Sequence, residues 1–156
     1  MKLEILSLDK ALKFIPSEKT YGVRILDSMQ FKQITNLVES DNWVKINKYI
    51  FDDKWASDWQ EILDEEREIY DFMGYPGPGD VLFDEYFAER ILNDYEIYGK
   101  EAETIMVHCN KGRSRSPAIA RAMNDIYGWG IKGLEEKFPE SRRFVYEIMM
   151  DVSRKR

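Results

Sequence analysis

An α/β fold with a mainly parallel central sheet flanked by helices on both faces is what the sequence of this 156-residue chain predicts, on three observations. Short apolar, β-branched runs alternate with stretches of helical period, an order that implies parallel strands joined by helical crossovers. The run Thr104-Ile105-Met106-Val107 leads through a polar, Gly-containing loop into Ala118, Ile119, Ala120, Ala122, Met123 and Ile126 at helical intervals. A content of 44% hydrophobic and 13% aromatic residues supplies one buried core, in a length too short for two ordinary domains. A single domain over 1–156 is expected.

Taken in order, the apolar runs predict strands at 3–6 and 23–26, a helix over 31–38, and a strand over 45–51 that ends in Phe51-Asp52-Asp53. Over 55–71, Trp55, Trp59, Ile62, Leu63 and Tyr70 recur at helical spacing among Asp58, Glu61, Asp64, Glu65, Glu66 and Glu68, which predicts an added amphipathic acidic helix. A solvated face over a buried Trp stripe is the ordinary explanation of such a segment; a lid or a docking surface for a basic partner is the sharper one. Gly and Pro residues make 74–79 a turn. A helix follows around Tyr86, then the strand ending at Val107. Ser116 as N-cap and Pro117 as first helical residue predict a helix over 117–127. Two more helices, at 131–137 and 141–153, are separated by Pro139. No internal repeat or low-complexity segment is evident.

Sites in such sheets form beyond the carboxyl ends of the strands, and the one cysteine of the chain falls there, in His108-Cys109-Asn110-Lys111-Gly112-Arg113-Ser114-Arg115-Ser116-Pro117. Five residues separate Cys109 from Arg115, the spacing of a phosphate-binding catalytic loop. Successive backbone N–H groups in a tight loop before a helix N-terminus form an anion-binding concavity, and Gly112 permits a conformation that a side chain would oppose. The loop 110–115, comprising Asn110, Lys111, Gly112, Arg113, Ser114 and Arg115, is thus the expected phosphate cradle. The same field favours thiolate over thiol and makes Cys109 a nucleophile. Arg115 offers a planar fork for two phosphoryl oxygens, and the Ser116 hydroxyl is placed to stabilise the sulfur as a leaving group. A lone Cys is ordinarily a small buried hydrophobe, but Gly112, Arg115 and Ser116 at these offsets outweigh that explanation. His108 is expected to hydrogen-bond within the loop base and tune the thiol without exchanging protons with substrate.

The run resembles the signature His-Cys-x-x-Gly-x-x-Arg-Ser of the cysteine-dependent protein tyrosine phosphatase superfamily in its dual-specificity form, and from Phe51 onward the order of elements is similar to that of small bacterial-type members. The resemblance implies a protein tyrosine phosphatase-like fold and a protein tyrosine or dual-specificity phosphatase acting on phosphomonoesters, phosphoprotein above all. It implies a cysteinyl-phosphate intermediate without metal or other cofactor. Expelling an alkoxide or phenoxide also needs a general acid. Asp53 is the first choice, because Phe51-Asp52-Asp53 is placed like the acid-bearing segment of those enzymes. Asp52 comes next, then Asp80. Asp80 and Asp84 precede the Tyr86 helix, where an N-terminal cap or dipole partner explains an aspartate independently.

Alternatives of the same chemistry are inositol, small-molecule or RNA 5′-phosphate substrates, to which the cations Lys111 and Arg113 give some weight. Both cations could instead pair with the abundant carboxylates. A rhodanese-like sulfurtransferase also uses a cysteine loop at a strand–helix turn, and a non-catalytic phosphate-binding module is the alternative outside catalysis. A net charge of −6 argues against nucleic acid or an anionic membrane as main partner, despite the basic Arg154-Lys155-Arg156 tail. With no long apolar stretch and no secretory h-region after Met1, a cytoplasmic, monomeric protein is expected. A single cysteine allows no disulfide within the chain.

Overall fold

The computed structural model describes residues 1–29, 35–53 and 81–156, and the four strand runs become β1 (Lys2–Leu6), β2 (Thr20–Leu26), β3 (Trp43–Ile50) and β4 (Thr104–His108). They lie in the order β1-β4-β2-β3, and every pairing is parallel. The central strands β2 and β4 are buried along their whole length, whereas the edge strands β1 and β3 are partly exposed. This is why the inner strands carry dense apolar runs rather than an alternation, Val23, Ile25 and Leu26 in β2 and Ile105, Met106 and Val107 in β4, with the buried polar residues Arg24 and His108 set among them.

The helices are α1 (Leu8–Ala11), α2 (Glu85–Asp94), α3 (Arg115–Tyr127), α4 (Leu134–Lys137) and α5 (Arg143–Arg154), and α2 runs on into a π-helical turn, Tyr95–Gly99. Alternate strand residues face opposite sides of a sheet. Val23, Ile25, Ile105 and Val107 enter one large core with Ala88 and Ile91 of α2, Ile119 and Met123 of α3, and Val145 and Met149 of α5. Each such aliphatic side chain contributes about 1.5–3 kcal/mol by leaving water. Met106 points the other way, against Ala11 of α1 and Leu37, with Phe14 and Trp43 beside them.

Helices on both faces are therefore found unequally: the long ones share one face, and among the described residues the other is covered by one-turn α1 and the chain around Leu37. Of the helix expected over 31–38, residues 31–34 lie outside the described residues, and 35–38 is not helical. There the Thr35 carbonyl accepts from Arg24 Nη2 at 3.0 Å and the Val38 carbonyl from the Trp43 indole at 2.9 Å, so side chains satisfy groups that a helical turn would otherwise use. The acidic helix of 55–71, the turn of 74–79 and Asp80 also lie outside the described residues.

Several boundaries differ from expectation: β2 begins three residues earlier, at Thr20, β3 two earlier, at Trp43, and α5 two later, at Arg143. Helix α3 begins at Arg115, so Ser116 is not its N-cap, and Pro117 is still within the first turn, where no intrahelical N–H is required of it. The cap position belongs to Ser114, whose side chain makes no capping bond. Helix α4 covers only Leu134–Lys137 of the expected 131–137, because the side-chain amide of Asn124 clasps Ile131, accepting from its N–H at 3.0 Å and donating to its carbonyl at 2.9 Å. Asp84 caps α2 as its position suggested, accepting from Phe87 N–H at 3.3 Å. The four residues of α1 are too few to show a helical period in sequence.

Candidate active site

Strand β4 ends at His108, helix α3 starts at Arg115, and the intervening loop turns around the sulfur of Cys109. The thiol is 2% exposed. Its Sγ accepts the Gly112 N–H at 3.2 Å and lies 3.1 Å from Ser116 Oγ, so the first turn of α3 supplies the second group that faces the sulfur. Gly112 has φ +69°, and a Cβ there would come within 2.7 Å of the Leu6 carbonyl carbon and the Ser7 nitrogen. The loop thus lies directly on the end of β1, an approach also held by Leu8 N–H donating to the Asn110 carbonyl at 3.0 Å. Among the described residues, the N–H groups of Lys111, Arg113 and Ser114 donate to no acceptor. Such a row of unpaired amides before a helix N-terminus is suited to an anion.

Arg115 is 3% exposed and is held from one side. Its Nη1 donates to the Phe51 carbonyl at 2.7 Å and pairs with Asp27 Oδ1 at 2.6 Å, while its buried Nε has no hydrogen-bond partner among the described residues. An unpaired buried donor costs about 1–3 kcal/mol, and an oxyanion is one acceptor that could complement this guanidinium. Strands β2 and β3 position the arginine, since Asp27 follows β2 and Phe51 follows β3.

The aspartates expected as general acid divide clearly. Asp52 is buried and committed to the fold: Oδ1 accepts Ser28 N–H at 3.0 Å, and Oδ2 accepts Ser28 Oγ–H at 2.8 Å and Val81 N–H at 2.8 Å. Asp53 stands at the loop rim, where Oδ1 accepts Ser114 Oγ–H at 2.9 Å and Arg142 Nε–H and Nη2–H at 3.0 and 2.7 Å. Its Oδ2 accepts no hydrogen bond among the described residues. Asp27, Asp52, Asp53, Cys109, Arg115 and Arg142 all line one open cleft of about 960 Å³ at the carboxyl end of the sheet.

His108 is fully buried beneath the loop. Its pKa is pushed down to about 4, first by desolvation and further by the Arg24 and Arg115 charges, against a raising contribution from its bond to the Cys109 carbonyl. At that value the ring is neutral at physiological pH. Lys111 and Arg113 are exposed and make no ion pair among the described residues.

Sequence reasoning missed Asp27, Arg24 and Arg142. Asp27 had a usable signal, a carboxylate directly after a strand run, as in Phe51-Asp52-Asp53. Arg142 had none, because its meeting with Asp53 depends on how α5 is packed. No cluster of three or more His, Cys, Asp or Glu side chains suited to a metal ion occurs among the described residues, and no helix there is long and apolar enough to cross a membrane. Comparison of the chain with protein-family models, with curated proteins and with solved structures finds no match.

Proposed function

We propose that this chain is a phosphomonoester hydrolase acting through a cysteinyl-phosphate intermediate, with phosphoprotein as its substrate class and a protein tyrosine phosphatase-like architecture. The observation that carries the reading is the meeting of three groups at one cleft: the Cys109 sulfur, Arg115 with a buried Nε–H that has no partner among the described residues, and loop amides without acceptors among those residues. Together they match a tetrahedral dianion approached in line by a thiolate.

In the first step Sγ of Cys109 bonds to phosphorus, the ester P–O bond breaks, and the leaving oxygen takes a proton from Asp53. In the second, water attacks phosphorus, Asp53 accepts its proton, and the S–P bond breaks with the electron pair returning to sulfur, where Ser116 Oγ–H stabilises it. Hydrolysis of p-nitrophenyl phosphate at mildly acidic pH, with chelator present, tests the reading; a folded, reduced protein without turnover on this ester or on a phosphopeptide panel overturns it.

Asp53→Asn is expected to lower kcat by about 10²–10⁴-fold, the range for a lost acid–base group, and to remove the alkaline limb of the pH–rate profile. Unchanged kinetics would pass the role to another carboxylate of the cleft or to Asp80. Asp52→Asn should behave differently, weakening the fold by about 1–3 kcal/mol in urea unfolding through its broken acceptor set.

Asp27→Asn keeps the shape around Arg115 but replaces a charge-assisted bond by a neutral one. Turnover is expected to fall about tenfold, the equivalent of one weakened hydrogen bond, with the larger part in kcat as the guanidinium loses its orientation. Phosphate inhibition constants measured beside kcat separate this from a simple loss of binding. A small phosphorylated metabolite or inositol phosphate is the second reading, favoured by exposed Lys111 and Arg113, which have no ion pair among the described residues. A higher kcat/KM for such esters than for phosphopeptides would select it.

A further inference from the structure

Arg24 is a buried cation with no carboxylate partner among the described residues. It lies on β2 directly beside His108 of β4 in the parallel ladder and is 1% exposed. Its Nε–H donates to His108 Nε2 at 2.9 Å, and its Nη2–H to the Thr35 carbonyl at 3.0 Å. On the far side of the imidazole, Nδ1 lies 3.3 Å from the Cys109 carbonyl oxygen.

A guanidinium has only donors, so His108 Nε2 must be the acceptor and carry no hydrogen. The ring is neutral, since its pKa is about 4. Its one N–H is then on Nδ1, where it meets a carbonyl that can only accept. Two contacts on opposite sides of the ring thus require the same tautomer, and only Arg24 among them is a side chain that substitution can remove.

We infer that Arg24 is a positioning residue that fixes the Nδ1–H tautomer of His108 and, through it, the Cys109 carbonyl at the base of the anion-binding loop. With that carbonyl pinned downward, the following peptides present their N–H groups to the sulfur and the anion rather than competing with an inward-facing oxygen dipole. The buried charge of Arg24 adds to the positive potential behind the thiol. The inference rests on the reading of Cys109 as a nucleophile, but its test needs no phosphate ester, so inactivity toward phosphoesters would not decide it.

The chain has one histidine, so its imidazole nitrogen signals need no assignment. Long-range proton–nitrogen spectra of the ¹⁵N-histidine-labelled protein at pH 7 should show a protonated Nδ1 and an unprotonated Nε2. Arg24→Met is expected to move a large fraction of the hydrogen to Nε2 and to slow alkylation of Cys109 by iodoacetamide about tenfold at pH 6.5, the equivalent of one hydrogen bond. Arg24→Lys, which restores a donor and a charge, should recover both readouts in good part, which a purely packing role would not produce. An Nε2–H tautomer or an imidazolium in the unsubstituted protein overturns the inference even if Arg24→Met does not fold. A folded Arg24→Met with unchanged tautomer, or with a changed tautomer and unchanged alkylation, overturns it as well.

Discussion

Cys109→Ser is expected to reduce turnover of p-nitrophenyl phosphate by on the order of 10⁴-fold or more while leaving the binding of an oxyanion such as tungstate intact. A serine hydroxyl finds no base in His108, which is neutral with Nε2 committed to Arg24 and Nδ1 facing the Cys109 carbonyl. The proposed anion site does not depend on the thiol, since Arg115 and the backbone amides would form it. Arg115→Ala should give the opposite pattern. Removal of the guanidinium takes away the buried donor and also leaves Asp27, its partner at 2.6 Å, as an unpaired carboxylate beside the anion. Binding of tungstate and of substrate should both be lost, with kcat/KM down on the order of 10³-fold. Arg115→Lys recovers little of this, because a point charge cannot hold Asp27, the Phe51 carbonyl and a phosphoryl oxygen in one plane. Calorimetric titration of tungstate alongside the kinetics separates the two roles. Equal loss of binding in both variants would mean that the sulfur is part of the binding site rather than the reacting atom.

The different ways these residues become visible explain what the sequence discloses. Cys109, Gly112, Arg115 and Ser116 act within one loop and one helical turn, so their relation is written in consecutive residues and survives in sequence spacing. The strands were legible because β2 and β4 are buried along their whole length and are filled largely with apolar residues, Val23, Ile25 and Leu26 in one and Ile105, Met106 and Val107 in the other. Asp27 and Asp53 are different. Each stands just past a strand, and which carboxylate meets Arg115 and which meets Arg142 is decided by the order β1-β4-β2-β3, in which β2 lies between β4 and β3. No local pattern encodes that order. Arg24 is the extreme case: an arginine within an apolar strand reads as an edge or an error, yet the ladder sets it beside His108 across 84 residues of sequence. The boundary of α3 was misplaced for a related reason. Ser116 has the chemistry of an N-cap, but its hydroxyl is drawn to Cys109 Sγ, and the helix starts a turn-fraction earlier, at Arg115.

Gly112→Ala should destabilise the protein by about 2–5 kcal/mol and take oxyanion binding with it. Two costs coincide at this position. A side chain at φ +69° carries the left-handed penalty of about 1–2 kcal/mol, and the new Cβ would stand 2.7 Å from both the Leu6 carbonyl carbon and the Ser7 nitrogen. Those atoms are backbone at the end of β1, which β4 holds in register through Leu6 and His108, so they cannot yield as a flexible side-chain tip would. Relief has to come from the loop, by lifting Gly112 and breaking the N–H bond to Cys109 Sγ; overpacking of this kind adds about 1–3 kcal/mol. Gly128→Ala is the internal control. It has a closely similar φ of +64°, at the end of α3, but an added Cβ meets nothing within 4 Å. The left-handed penalty alone then applies, about 1–2 kcal/mol, with tungstate binding unchanged. Urea unfolding of the two variants side by side therefore isolates the steric contact of the loop on β1 from the conformational cost that both glycines share. Equal destabilisation would mean that the loop moves off Leu6 without resistance, and that the cradle around Cys109 is not braced by the edge strand beneath it.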